Sequence, residues 1–251
     1  MNFRRKQSGW RQDIERKEIG LATGSGVIFI CVLAYLFYSR WWMIPVLSPI
    51  LIAYLFLWER ETEKKKERLF CLQFKDAMQM LASALAAGYS VENSIRAAEK
   101  DLQKFYKETA RIRKEFASMS HQLNMNFSAE RVLKDFAARV HQEDVDNFVT
   151  VFSIAKKSGG DSISIIRNTI RMICDKIEVR QEISVLTAAK RYEFRVMTMI
   201  PLGILLYMRF SFPEFLSILY GNAVGAFVMT ICLAIYGAAY LLGKKVTEIE
   251  V

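Results

Sequence analysis

Residues 161–201 read DSISIIRNTIRMICDKIEVRQEISVLTAAKRYEFRVMTMIP. Ile163, Ile166, Ile170, Ile173 and Ile177 recur at alternating spacings of three and four, which places all five on one face of a helix. The polar face carries Arg167, Arg171, Lys176, Glu178 and Arg180. The preceding Gly159-Gly160 turn leaves Asp161 or Ser162 as the N-cap, whose side-chain oxygen accepts an orphan N–H of the first turn. No Pro or Gly interrupts the pattern before Pro201. Beyond Arg191, Glu193 and Arg195 the charges stop, and Val196 to Met208 is apolar except for Thr198. At 1.5 Å per residue, Ser162 to Arg195 is roughly 50 Å of helix. Such a helix joins a water-facing helical domain directly to a membrane span.

Working outward, the whole chain divides in the same way. It has 251 residues, 52% of them hydrophobic, with a net charge of +9 and a mean hydropathy of +0.13. Residues 21–58 and 196–243 are nearly free of charge, whereas 59–195 is charged like an ordinary soluble domain and long enough for its own core. The sequence thus reads as five parts. A basic N-terminus (1–20) precedes a hairpin of two spans (21–58), a helical domain (59–195), a second pair of spans (196–243) and a short tail (244–251). The basic start with an apolar run after it resembles a signal peptide, but no small-residue cleavage site follows Phe37 and a second apolar run begins at once, so an uncleaved hairpin is expected. Cys31, Cys71, Cys174 and Cys232 show no CxxC or metal-ligand spacing, which implies a reducing compartment and packing roles.

Charge asymmetry sets the expected topology. The spans are about Leu21 to Tyr38, about Trp42 to Trp58, one starting near Val196, and about Ala223 to Leu242. Placing both termini and 59–195 on one side gathers 33 of the 35 Lys and Arg there, leaving Arg40 and Arg209 opposite. The short flanks agree, with Lys64, Lys65 and Lys66 after the second span and Lys244 and Lys245 after the fourth, so that side is cytoplasmic. The third span is short, and Arg195 and Arg209 are read as interfacial residues snorkelling around it, with Phe212-Pro213-Glu214 as an outer-face break.

Within 59–195 the period is helical throughout and proline is absent. Phe70, Phe74, Ala77, Leu81 and Ala84 mark one helix, ending where Gly88 suits a left-handed C′ position and Ser90 the next N-cap. Helices follow over about Val91 to Phe105, Lys107 to Gln122, Arg131 to Val140 and Glu143 to Lys157, and the long helix from Ser162 is the sixth. The expected fold is all-α: about four transmembrane helices and a cytoplasmic antiparallel bundle of about six.

The residues offer little for catalysis. No GxxxxGK[ST] loop is present to cradle nucleotide phosphates. His121 and His141 stand 20 residues apart on different helices without a Cys or Glu pattern for a metal. Glu143, Asp144 and Asp146 open a helix, where negative charge complements the dipole. No nucleophile–base arrangement is legible. The expectation is a non-enzyme with no catalytic residues, no metal and no cofactor. The domain's surplus of five positive charges is scattered or juxtamembrane, which favours anionic lipid headgroups over nucleic acid.

Leu81-Ala82-Ser83-Ala84-Leu85-Ala86-Ala87-Gly88-Tyr89-Ser90 with Ser94-Ile95 resembles the signature of the F-domain family, the inner-membrane platform proteins of type II secretion systems and type IV pili. Ala155 to Asp161, Leu186-Thr187-Ala188 before Pro201, Phe212-Pro213-Glu214 and the closing Thr247-Glu248-Ile249-Glu250-Val251 fit as well. The arrangement is similar to the TadB-like, tight-adherence (Flp) pilus branch. The resemblance implies a scaffold in the bacterial inner membrane that couples a hexameric cytoplasmic secretion ATPase to pilin subunits. It also implies pairing with a second F-domain subunit (TadC-like) or with itself, because larger relatives carry two such domains. The family-motif turns it singles out are Leu85, Gly88 and Ser90, and Gly159, Gly160 and Asp161, with Arg195, Pro201 and Arg209 at the membrane interface. Two other classes fit the residues less well. A membrane-anchored helical sensor would call for an outer domain or a catalytic output, and a transporter for polar residues within the spans.

Overall fold

The computed structural model describes residues 20–28, 31–32, 48–158, 162–212, 214 and 223–247. Among them every regular element is helical. In chain order the bounded helices are α1 (Ser48–Ala86), α2 (Val91–Phe105), α3 (Arg111–Asn124), α4 (Ala129–Val140), α5 (Glu143–Ser158), α6 (Ser162–Ser211) and α7 (Ala223–Thr247). The described residues form two compact units, one spanning Thr62–Arg180 and the other holding those from 20 to Glu61 and from Gln181 onward.

The first unit is built on the helix faces that the apolar spacing marks. Phe70, Phe74, Ala77 and Leu81 of α1 are buried, joined by Met78 and Leu85, while Ala84 is only half-buried. They meet Ile95, Ala98 and Leu102 of α2, Ile112, Phe116 and Met119 of α3, Phe136 of α4, Phe148 and Phe152 of α5, and Ile166, Ile170, Ile173 and Ile177 of α6. Rings run through the centre: Phe74 and Phe116 each lie 6.3 Å from Phe136, the second pair edge to face. Each such side chain contributes about 1.5–3 kcal/mol of burial. Ile163 is 42% exposed despite its spacing. Arg167 shares a groove with Ala86, the last residue of α1, so Ile163, one turn earlier, overshoots the end of its neighbour.

The helix ends are set by local chemistry. Gly88 takes φ +87°. Its N–H bonds the Leu85 carbonyl at 3.1 Å, and the Tyr89 N–H bonds that of Ala84 at 3.2 Å, the paired closure of a Schellman turn. Ser90 and Ser128 cap α2 and α4 by accepting from the N–H groups of Asn93 and Arg131. Helix α3 starts at Arg111 rather than Lys107, because Tyr106 is extended and a turn closed by Ala110 N–H to the Lys107 carbonyl (3.0 Å) intervenes.

Successive helices of this unit run in opposite directions, which sorts its connections to two ends. Arg96 in the first turns of α2 donates to Asn124 Oδ1 (3.1 Å) and the Leu123 carbonyl (3.3 Å) at the end of α3. The ends of α1 and α3 therefore lie together. Glu130 at the start of α4 has its carboxyl lowered first by the hydrogen bond from Lys134 and further by Lys157 and Lys156, which brings the end of α5 to the same place. Thr62 and Arg180, where the chain enters and leaves the unit, lie at the other end.

In the second unit α6 runs on through Pro201 to Ser211. It stops before Phe212, as expected where Pro213 biases the preceding residue away from helix. Pro201 lacks the N–H that would bond the Met197 carbonyl and crowds the turn before it. In that turn the Thr198 carbonyl accepts the Tyr236 hydroxyl of α7 at 2.6 Å. One turn earlier Phe194 stacks on Tyr240 at 5.8 Å. A Cβ on Gly243 would stand 2.2 Å from the Phe194 ring, so the glycine is what lets α7 approach. Among the described residues two helices are long and apolar enough to cross a membrane: Ser162–Ser211, with its apolar stretch 0% buried, and Phe227–Thr247, with 6%. Of the first two spans expected from the sequence, residues 21–28 and 31–32 of one and 48–58 of the other are described and helical, and the rest lie outside the described residues.

Candidate functional site

Two places in the first unit concentrate polar chemistry, one at each end. At the end where α1 and α3 finish, the Gly88 turn, the Ser90 cap and Arg96 form one hydrogen-bonded assembly. Arg96 also donates to Asn93 Oδ1 at 3.0 Å, so a single guanidinium ties the first turn of α2 to the last turn of α3. Tyr89, Met125 and Phe127 are exposed around it, and the Arg131 guanidinium lies 4.7 Å over the Phe127 ring. Asn126 takes a left-handed φ of 62° in the α3–α4 turn, which asparagine tolerates better than most residues. Leu85, Gly88 and Ser90 are thus parts of a single turn. Gly159, Gly160 and Asp161 fall outside the described residues. Ser162, the alternative N-cap, instead donates from its hydroxyl to the Ala155 carbonyl at 3.0 Å.

The other end is organised around Asp144, only 1% exposed. Its carboxylate accepts from Lys176 Nζ at 2.8 Å, Arg180 at 3.3 Å and Gln142 Nε2 at 3.1 Å. Lys176 also reaches Glu143 at 3.1 Å. Gln142, itself buried, donates on to the Cys71 sulfur, carrying the network to α1. Burial pushes the Glu67 carboxyl upward, with Arg180 opposing and Asp144 adding to the shift. The hydrogen bond to Asp144 raises the Lys176 ammonium. Burial, followed by the charges of Asp144 and Glu67, pushes the Cys71 thiol up to about 12. A thiol held so high is a poor nucleophile at neutral pH. The Cys174 thiol, pushed up to about 11 chiefly by burial, is another.

What this arrangement does is mechanical. It fixes the start of α5 to α6 through charge-assisted bonds and to α1 through Gln142. Lys75 of α1 pairs directly with Glu178 of α6 at 3.0 Å. Sequence reasoning placed Asp144 in a dipole-complementing acidic trio and missed its role. The one available signal was Lys176 and Arg180, four residues apart on one side of α6, but their acid lies more than thirty residues away along the chain.

Residues 77–209, more than half of the chain, match the model of the family described as type II secretion system (T2SS), protein F. The chain belongs to that family. The protein F match opens in the buried face of α1, takes in the Gly88 turn and the Asp144 cluster, and closes at Arg209 in the last turn of α6. Neither a curated protein nor a solved structure matches the chain significantly. Arg195, Pro201 and Arg209, expected at a membrane interface, all lie in the second unit on α6. Arg195 and Arg209 are separated by 14 residues, roughly 21 Å of helix rise. Among the described residues no group of three or more His, Cys, Asp and Glu is placed to hold a metal ion. His141 serves as the left-handed cap of α4, at φ 53°.

Proposed function

We propose that the chain is a non-enzymatic platform protein of a bacterial inner-membrane machine of the tight-adherence (Flp) type, TadB-like, which couples a cytoplasmic secretion ATPase to pilin assembly. In this reading residues 59–195 form a cytoplasmic antiparallel bundle of six helices, four spans anchor it, and both termini face the cytoplasm. The partners are the ATPase hexamer, pilin subunits, membrane lipids and a second F-domain subunit, either TadC-like or another copy.

The single observation that carries the reading is the continuity of α6 within the protein F match. One helix bears the buried Ile166–Ile177 face and the Asp144 clamp, then the apolar, unburied stretch that ends at Arg209. A helix held by a packed core at one end and by lipid at the other passes displacement along its axis without bond chemistry. The positive-inside asymmetry supports the orientation, since the basic flanks gather on the side of the charged domain.

The test is affinity purification of the tagged full chain from native membranes, with partners read by mass spectrometry. Recovery of a secretion ATPase and a pilin is expected, and neither appearing overturns the reading. Protease digestion of sealed, right-side-out spheroplasts should leave 59–195 intact, and cleavage there before lysis contradicts the topology.

A further inference from the structure

The first unit has a groove apart from the Asp144 clamp, floored by the core residues Ile170 and Cys174. It lies between α1 and α6 and has a volume of about 560 Å³. Its α1 wall carries Ala82, Ser83 and Ala86, short side chains that leave the floor open. Its α6 wall presents Arg167, Arg171 and Asp175, four residues apart and therefore in a row along one face. All three are exposed.

Other arginines of this unit are held in place. The guanidiniums of Arg96, Arg139 and Arg180 are each held by an acid or amide oxygen. Lys176 and Arg180, on the neighbouring side of α6, both turn to Asp144. Arg167 and Arg171 have no hydrogen-bond or ion-pair partner among the described residues, and Arg171 and Asp175 stand one turn apart without pairing. Two like charges at four-residue spacing cost an isolated helix a few tenths of a kcal/mol, roughly 0.2–0.5. Within the row only Asp175, one turn beyond Arg171, offsets part of that cost.

We propose that this groove is a docking site for an amphipathic helix of a partner protein, antiparallel to α6, reading cation–acid–acid at four-residue spacing. Two carboxylates one turn apart match the separation of Arg167 and Arg171, and a lysine or arginine one turn before them meets Asp175. The alternation gives direction as well as affinity, because a parallel helix sets its cation against Arg167. The short residues of α1 let a third helix lie close in the cleft, and the cleft favours a helix over a lone oxyanion because its charges form an extended row. The inference rests on the geometry of the first unit and not on the identity of any secretion partner.

The test is selection from a helix-constrained peptide library on phage, panned against the full chain in lipid nanodiscs. It is run in parallel on Arg167→Glu/Arg171→Glu and on Lys100→Glu/Lys114→Glu, a control with the same charge change on exposed positions of α2 and α3. Circular dichroism melts establish that both variants stay folded. The wild type and the control should enrich paired acids four residues apart, preceded by a base, while the reversed variant should select bases in their place. A synthesised wild-type binder should lose about tenfold or more in affinity for the reversed variant. Selection of the same sequences by wild type and reversed variant, or recovery of no binder that depends on Arg167 and Arg171, overturns the proposal. Displacement of the binder by inorganic phosphate beyond that of chloride at equal ionic strength marks a simple oxyanion site and overturns it too. Each outcome is independent of whether a secretion ATPase co-purifies.

Discussion

Replacing Asp144 by asparagine keeps the shape of the side chain and removes its charge, so it isolates the electrostatic contribution of the clamp. One oxygen becomes an NH2 that must face Lys176, Arg180 or Gln142, all of them donors in the native contacts at 2.8, 3.3 and 3.1 Å. A hydrogen bond to a charged group is worth about 1.5–3 kcal/mol, and removing one member of a wholly buried pair costs about 3–5 kcal/mol. Asp144 is buried, but the side chains of Lys176 and Arg180 are 38% and 36% exposed and regain water when the acid is gone. Discounted for that screening, the loss is about 2 kcal/mol for Asp144→Asn and about 3 for Asp144→Ala. For a unit of this size that is a fall of roughly 8 °C in melting temperature for the asparagine variant. Differential scanning calorimetry of the detergent-purified full chain reads it directly. A double-mutant cycle with Arg180→Gln should show a coupling of at least about 0.5 kcal/mol. A fall under about 2 °C, or strict additivity in the cycle, would refute the idea that Asp144 clamps α5 to α6.

The turn at the other end predicts a smaller effect of different origin. No atom lies within 4 Å of a Cβ built on Gly88, so Gly88→Ala should cost about 1 kcal/mol purely through its left-handed φ, and Ser90→Ala about 1 kcal/mol through the lost cap; thermal melts of the full chain check both. In the second unit Gly243→Val should drive the new side chain into Phe194 and destabilise the α6–α7 contact by about 1–3 kcal/mol, seen as loss of monodispersity in detergent. Phe194→Ala should rescue part of that loss, whereas rescue by a distant substitution such as Phe227→Ala would contradict a local clash. Stability should fall as pH rises from about 9 to about 12. The raised thiols of Cys71 (about 12) and Cys174 (about 11) and the raised hydroxyl of Tyr106 (about 12) stay protonated in the fold but ionise earlier when unfolded. Melting temperatures across that range should decline less steeply in Cys71→Ala/Cys174→Ala than in the wild type.

Much of this protein is local, and what is local could be read from the chain itself. The helical period of Phe70 to Leu81, Ile95 to Leu102 and Ile166 to Ile177 identified faces that are buried in the structure, because a helix brings residues three and four apart together whatever surrounds it. Gly88 and Ser90 were legible for the same reason, since a left-handed turn and a cap depend on the few residues beside them. So was the switch of α6 from charged to apolar at Arg195. The fate of the charges on α6 was not. By spacing alone Arg167, Arg171, Lys176, Glu178 and Arg180 make one solvated face. The packing divides them: Lys176 and Arg180 turn to Asp144 of α5, Glu178 to Lys75 of α1, and Arg167 and Arg171 to an open groove. Asp144 likewise looks like one of three acids at a helix start until the fold buries it and leaves Glu143 exposed beside it. An ion pair is chosen by which helices become neighbours, and that choice is made by the whole core at once, over separations that no local period records.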